Sequence, residues 1–305
     1  MQLVLDEKKI RKGRSIGLPY VGSKKKISKK LVEIIKQNFG TNKTVYDLFG
    51  GGGAITLECR LQGLDVVYND VDPIPGQMIQ KILSEDREYI KTLICSREEF
   101  FKIRDKEDKT IDDHLKLLVN SFGYDCKSYL YSKKHSDIKY KLAKEIIEKH
   151  DCFYGYKQTE TFKNFVKDKE KLKSLDWENK EEKLQVLQVM HRLQQLTGLQ
   201  QLERVKEIKF YNKDYKEFSE IKNSIIYLDP PYKDTKKAYK HNNLNYEEFY
   251  KWCKVMSKDN IVLISGYHMP DDFEVVYEFR KAKSSMQGGK HDDKYEKLYM
   301  VKDKH

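Results

Sequence analysis

Long apolar runs are missing from this chain of 305 residues. None approaches the ~18 consecutive apolar residues of a membrane-spanning helix, and a mean hydropathy of −0.78 with 35% charged residues points the same way. Met1-Gln2-Leu3 starts no secretory signal pattern, so a soluble, cytoplasmic protein is expected. Cysteine is sparse: Cys59, Cys95, Cys126, Cys152 and Cys253 lie at least 26 residues apart. That spacing leaves no Cys-x-x-Cys pair for a metal or redox centre, so free thiols are expected and no metal. An ATPase-type phosphate loop is absent too. Gly17 and Gly22 precede Ser23-Lys24, but the motif needs Gly-Lys-Ser/Thr after a strand, and no strand pattern precedes Gly17. Proline is scarce, with six in the chain, yet two of them are adjacent at Pro230-Pro231.

What is present gathers around that pair. Ile225-Ile226-Tyr227-Leu228 is a short apolar run stopped by Asp229-Pro230-Pro231-Tyr232. Such a run reads as a buried strand, with Asp229 at its carboxyl end, where open α/β sheets bind ligands. Taken alone, the tetrapeptide is equally compatible with a stiff turn and a solvated Asp.

A second signal lies upstream. Thr44 to Phe49 is β-rich, Gly50-Gly51-Gly52-Gly53 follows, and Ala54 to Glu58 begins a helical pattern that stops near Gly63. Strand, glycine turn and helix let backbone approach a ligand closely, because no Cβ intervenes. Val66-Val67-Tyr68 reads as the next strand and ends at Asn69-Asp70, which puts an acid 19 residues after Gly51. A ribose-binding carboxylate in a nucleotide fold is expected at ~20.

Together these residues resemble the Dam-type (alpha-group) DNA adenine N6-methyltransferases. Phe49, Gly51 and Gly53 match the Phe-x-Gly-x-Gly loop that holds S-adenosylmethionine in that family, and Asp229 to Tyr232 match its Asp-Pro-Pro-Tyr. Tyr20 to Lys24, Asp214-Tyr215 and Ser265 to Pro270 extend the likeness. Ser121 to Tyr124 and Tyr129 to Tyr131 look like phage-borne members. The resemblance implies a Rossmann-like α/β methyltransferase sheet made of residues 1–83 and 206–305, with a mainly helical target-recognition insertion at 84–205. It implies a site-specific enzyme of a bacterial or phage-infected cell, acting on double-stranded DNA. Asp229, Pro230, Pro231 and Tyr232 would be catalytic, and Tyr20, Lys24, Phe49, Gly51, Gly53, Asp70, Asp214 and Asp229 would hold S-adenosylmethionine.

The chemistry suits these groups. The adenine amine is a poor nucleophile, so the protein must position and polarise it. Asp229 and the Pro230 carbonyl can accept its hydrogens, and Tyr232 offers a ring to a flipped base. No Pro-Cys dipeptide is present, which argues against cytosine C5 methylation by thiolate attack. An RNA adenine or N4-cytosine methyltransferase, or a silent DNA-binding protein on the same scaffold, stays open.

The rest of the chain is less specific. A net charge of +11 suits a polyanionic partner. Residues 1–15 are basic and read as a solvated tail. Ile27, Leu31, Ile34 and Ile35 form a helical stripe ending near Gly40. In the insertion, Lys127, Lys133 and Lys134 alternate with Tyr129 and Tyr131. These suit phosphate and base contacts, although a helical hairpin with mutually packed tyrosines fits as well. Leucines and Met190 recur every three residues from Leu184 to Leu202, with Gly198 as a candidate break and glutamines coating the helix. Asn245 is a helix cap for Phe249, Trp252, Cys253 and Met256. Ile261 to Ile264 is another buried strand, and Glu274 to Phe279 with Tyr295 to Val301 form an antiparallel edge joined through Gly288-Gly289.

Overall fold

Val45–Asp47 (β1), Val66–Asn69 (β2), Lys209–Tyr211 (β3), Ile225–Leu228 (β4), Ile261–Gly266 (β5), Phe273–Phe279 (β6) and Glu296–Val301 (β7) pair into one seven-stranded sheet. The computed structural model describes residues 2–20, 22–168, 187–200, 207–231, 244–279 and 295–302. Strand order is β3-β2-β1-β4-β5-β7-β6. The first five strands run parallel, and β7 is antiparallel to both β5 and β6. Strands β2 and β4 are buried at every residue, as strands covered on both faces must be. The order reverses between β1 and β4, which opens a crevice at their carboxyl ends.

The chain divides into two compact units, one of Met1–Leu18, Gly22–Gly76 and Leu202–His305, the other of Pro19–Val21 and Gln77–Gln201. In the first, the helix Ser28–Phe39 buries Leu31, Val32, Ile34 and Ile35 and ends at Gly40, whose φ of 79° suits glycine. The helix Tyr246–Met256 starts at Asn245, whose side chain accepts from the Glu247 and Glu248 amides, and it buries Phe249, Trp252, Cys253 and Met256. The basic N-terminal stretch is no solvated tail. Leu3 is buried and its amide donates to Val276 O at 2.9 Å, while Arg11 grips both carboxylate oxygens of Glu58 at 2.7 and 2.9 Å.

The second unit is helical, with Arg87–Lys91, Arg97–Arg104, Ile111–Asn120, Ser136–His150, Glu160–Lys167 and Gln188–Gln200. The last of these runs through Gly198 without a break, burying Val189, Met190, Leu193, Leu196 and Leu199. A single glycine costs a helix only ~1 kcal/mol, and those apolar contacts outweigh it. Leu184, Leu202 and Gly288-Gly289 lie outside the described residues. Among the described residues no helix is long and apolar enough to cross a membrane.

Candidate active site

Asp47 ends β1, and the chain passes through Leu48 and Phe49 into the four glycines that lead to the helix Ala54–Leu61. The turn is tight. Gly50 N donates to Asn69 O and Gly53 N to Gly50 O, each at 2.8 Å. A Cβ at Gly50 would lie 2.3 Å from the Tyr68 ring, and Gly53 takes φ 71°. Both positions therefore demand glycine. Phe49 is half-buried, stacked on Tyr215 at 5.8 Å and edge-on to Phe249 at 5.9 Å.

Asp70 follows β2. Its Oδ2 accepts from Gly51 N at 2.8 Å and its Oδ1 from Asp72 N at 2.9 Å. Asn69 links three strand ends: its side chain donates to Leu48 O at 3.1 Å and Lys213 O at 3.0 Å and accepts from Lys213 N at 2.9 Å. Asn212 then donates to the Asp70 carbonyl at 2.8 Å. Asp214, two residues on, is exposed, with its own side chain capping the turn Tyr215–Phe218.

At the end of β4, the Asp229 carboxylate meets the Lys24 ammonium at 2.7 Å, and the same ammonium reaches Glu296 at 3.2 Å. Burial lowers the Lys24 pKa, but Asp229 and Glu296 outweigh it and raise it overall, so the side chain stays charged. Behind them the Tyr227 hydroxyl shares a hydrogen bond with Ser265 Oγ at 2.7 Å, and burial pushes its pKa well up. Pro230 is buried, and the Pro231 carbonyl accepts from the Tyr246 hydroxyl. Tyr232 lies outside the described residues. Asp47 is fully buried: its Oδ2 accepts from Thr56 N and Oγ1, while Oδ1 has no hydrogen-bond partner among the described residues. Burial, helped by Asp229 and Asp70, pushes its pKa up to about 7.

One unit thus brings together Lys24, Phe49, Gly51, Gly53, Asp70, Asp214, Asp229, Pro230 and Pro231 at the carboxyl ends of β1 to β4. Tyr20 is half-buried and belongs to the other unit. Sequence reasoning missed Asn69, Asp47 and Glu296. Asn69 and Asp47 stand at strand ends, which was a usable signal. Glu296 carries no motif, and only the reversed direction of β7 puts it near Asp229.

In the helical unit, Lys127, Lys133 and Lys134 are exposed, as phosphate contacts require. Tyr129 and Tyr131 are a correction. Both are buried, with Tyr129 packed on Phe100 at 5.3 Å and on Tyr131 at 5.9 Å and its hydroxyl donating to Cys95 O at 2.8 Å. Rings held this way are core, and they cannot read bases. No metal-binding cluster occurs among the described residues.

A family model for D12 class N6 adenine-specific DNA methyltransferases matches residues 20–285, a span that holds the glycine loop, Asp70, Asp214 and the Asp-Pro-Pro-Tyr. Among curated proteins none matches the chain significantly. Because the match covers most of the 305 residues and all four strand ends that converge on Asp229, the chain belongs to the D12 class N6 adenine-specific DNA methyltransferase family.

Proposed function

We propose that this adenine N6-methyltransferase of DNA is of the Dam type (alpha group), akin to phage-borne members, and takes its methyl group from S-adenosylmethionine. The observation that carries this reading is the convergence of a bare glycine loop, Asp70 and Asp229 on one sheet edge. The donor set fits the cofactor. Asp70 is a carboxylate on the glycine loop, of the type that accepts from ribose hydroxyls, Gly51 and Gly53 leave backbone bare, and Phe49, Lys24 and Asp214 border the same edge. When bound, the cofactor supplies a methyl group already activated by its sulfonium.

The chain's own residues do the rest. Asp229 and the Pro230 carbonyl accept the two hydrogens of N6 and turn its lone pair outward, and Tyr232 stacks on the extruded base. Fixed acceptors of this kind act on the charge that develops at nitrogen without reorganising. Extruding the base costs a few kcal/mol, and binding of the duplex offsets it. Residues 84–205 supply that binding and the choice of site. Lys127, Lys133 and Lys134 meet phosphates. Base contact falls to exposed rings, of which Phe122, 59% exposed on the loop closed by the Ser121–Tyr129 bridge, is one.

The test is transfer from radiolabelled S-adenosylmethionine to duplex DNA, single-stranded DNA and RNA, with nucleoside digestion of each product. N6-methyladenine from duplex DNA is expected. N4-methylcytosine, label confined to RNA, or no label at all would each favour one of the rival readings.

A further inference from the structure

Glu296 opens β7 and is buried, with its carboxylate on the ammonium that also holds Asp229. Its position follows from topology. Strand β7 runs against β5, pairing Lys297 with Gly266 at the last residue of β5, so its first residue arrives where the parallel strands end. Glu296 also lies beyond the span 20–285 matched by the family.

Two carboxylates thus share one buried ammonium. None of the three side chains is more than 15% exposed, so water screens the interactions among them weakly. Without Glu296, more of the ammonium's field would fall on Asp229. The difference matters because positive charge develops on N6 as it takes the methyl group, and a fixed negative environment stabilises that change.

We propose that Glu296 is a positioning residue of the methyl transfer: it takes a share of the Lys24 ammonium, so that Asp229 keeps the charge with which it draws the hydrogens of N6. This rests on the reading of Asp229 as the acceptor. Among the described residues, groups that bear on the pair include Tyr227 of β4, hydrogen-bonded to Ser265 of β5, and Asp47 at the end of β1, itself close to Asp70.

The test compares Glu296→Gln, which keeps the shape and loses the charge, with Glu296→Asp, which restores the charge. Steady-state methylation of duplex DNA is measured across pH, and thermal unfolding is recorded for each variant. In Glu296→Gln, kcat is expected to fall about 10- to 100-fold while KM for DNA stays within about threefold. Glu296→Asp recovers most of the loss. The acid limb of the kcat profile moves to lower pH in Glu296→Gln, because the charge opposing ionisation of Asp229 is gone. An unchanged kcat overturns the proposal. So does a loss shared equally by both variants with the acid limb fixed, or a Glu296→Gln protein that does not fold, since each marks a purely structural residue. Asp229→Ala, run alongside, separates the two levels. If it stays active, the acceptor reading itself fails; if it is inert while Glu296→Gln is unimpaired, only the role of Glu296 is lost.

Discussion

The sheet edge and the helical unit both bury polar side chains, and they use them in opposite ways. In the helical unit Arg192 and Tyr129 each satisfy a backbone group. The Arg192 guanidinium, on the helix Gln188–Gln200, donates to Val119 O at 2.7 Å near the end of Ile111–Asn120 and stacks on Tyr124 at 4.3 Å, so it occupies a carbonyl that the helix leaves open. Tyr129 does the same for Cys95 O. At the sheet edge carboxylates cluster around the glycine loop and one ammonium. Asp70 accepts from Gly51 N on the glycine loop, Asp47 Oδ1 has no hydrogen-bond partner among the described residues, and Asp229 shares its cation with Glu296. Buried polarity that ends on backbone holds a fold together, whereas carboxylates clustered at strand ends are positioned to act on a ligand.

The largest expected effect probes that cluster directly. Asp229→Ala should lower methyl transfer by at least about a thousandfold, while calorimetry shows S-adenosylmethionine affinity within roughly tenfold of the original, because the carboxylate acts on the charge developing at N6.

Asp47 is the next lever. Its pKa, held at about 7 in the folded protein against an ordinary value of 3.8, means the folded state binds the extra proton between about pH 4 and 7. Stability therefore falls as pH rises through that window, by on the order of 4 kcal/mol for a shift of this size. Asp47→Asn cannot ionise and still accepts from Thr56, so the drop in unfolding midpoint between pH 5 and pH 8 should shrink in the variant. An unchanged drop would mean that Asp47 is ionised throughout.

Asp70→Ala should weaken S-adenosylmethionine binding by about 1.5 to 3 kcal/mol, the range for removing a hydrogen bond to a charged group. Calorimetry with unaltered affinity would move the ribose contact elsewhere along the edge.

Two smaller effects sharpen the contrast from the helical side. Tyr129→Phe should cost about 1 kcal/mol in a denaturant titration, by leaving Cys95 O without its donor, and should leave the methylated sequence unchanged in plasmid mapping. A relaxed site choice would return that ring to the recognition surface. Replacing Lys133 and Lys134 with Ala should weaken binding to many sequences alike and flatten the salt dependence by about 0.9 for each DNA phosphate that is no longer neutralised. An unaltered slope in a salt-series titration would make the pair a solvated helical face.

Much of the sheet was legible because its signals are local. The runs at 225–228 and 261–264 became strands at those positions, Gly40 ended its helix, and Asn245 capped the helix beginning at Tyr246. Backbone propensity and glycine conformation act over a few residues, so a linear reading captures them. Tyr129 and Tyr131 were misplaced for the opposite reason. Alternation of lysine with tyrosine describes an exposed binding face and a half-packed core segment equally well, and burial against Phe100 depends on a helix about 30 residues earlier. The N-terminal stretch misled in the same way, since its anchor points, Val276 and Glu58, are far along the chain.

By itself the sequence determined the chemistry that the chain can offer: a glycine loop, an acid one strand later, and a carboxylate before two prolines. Those are fixed by residue type and short spacing. Which groups share a charge was decided only by the tertiary structure. Lys24 and Asp229 are 205 residues apart and Glu296 a further 67, and their meeting depends on where β4 stops and on β7 running backwards beside β5. Coulomb interaction in a shielded site follows distance in space, and spacing along the chain does not encode that distance.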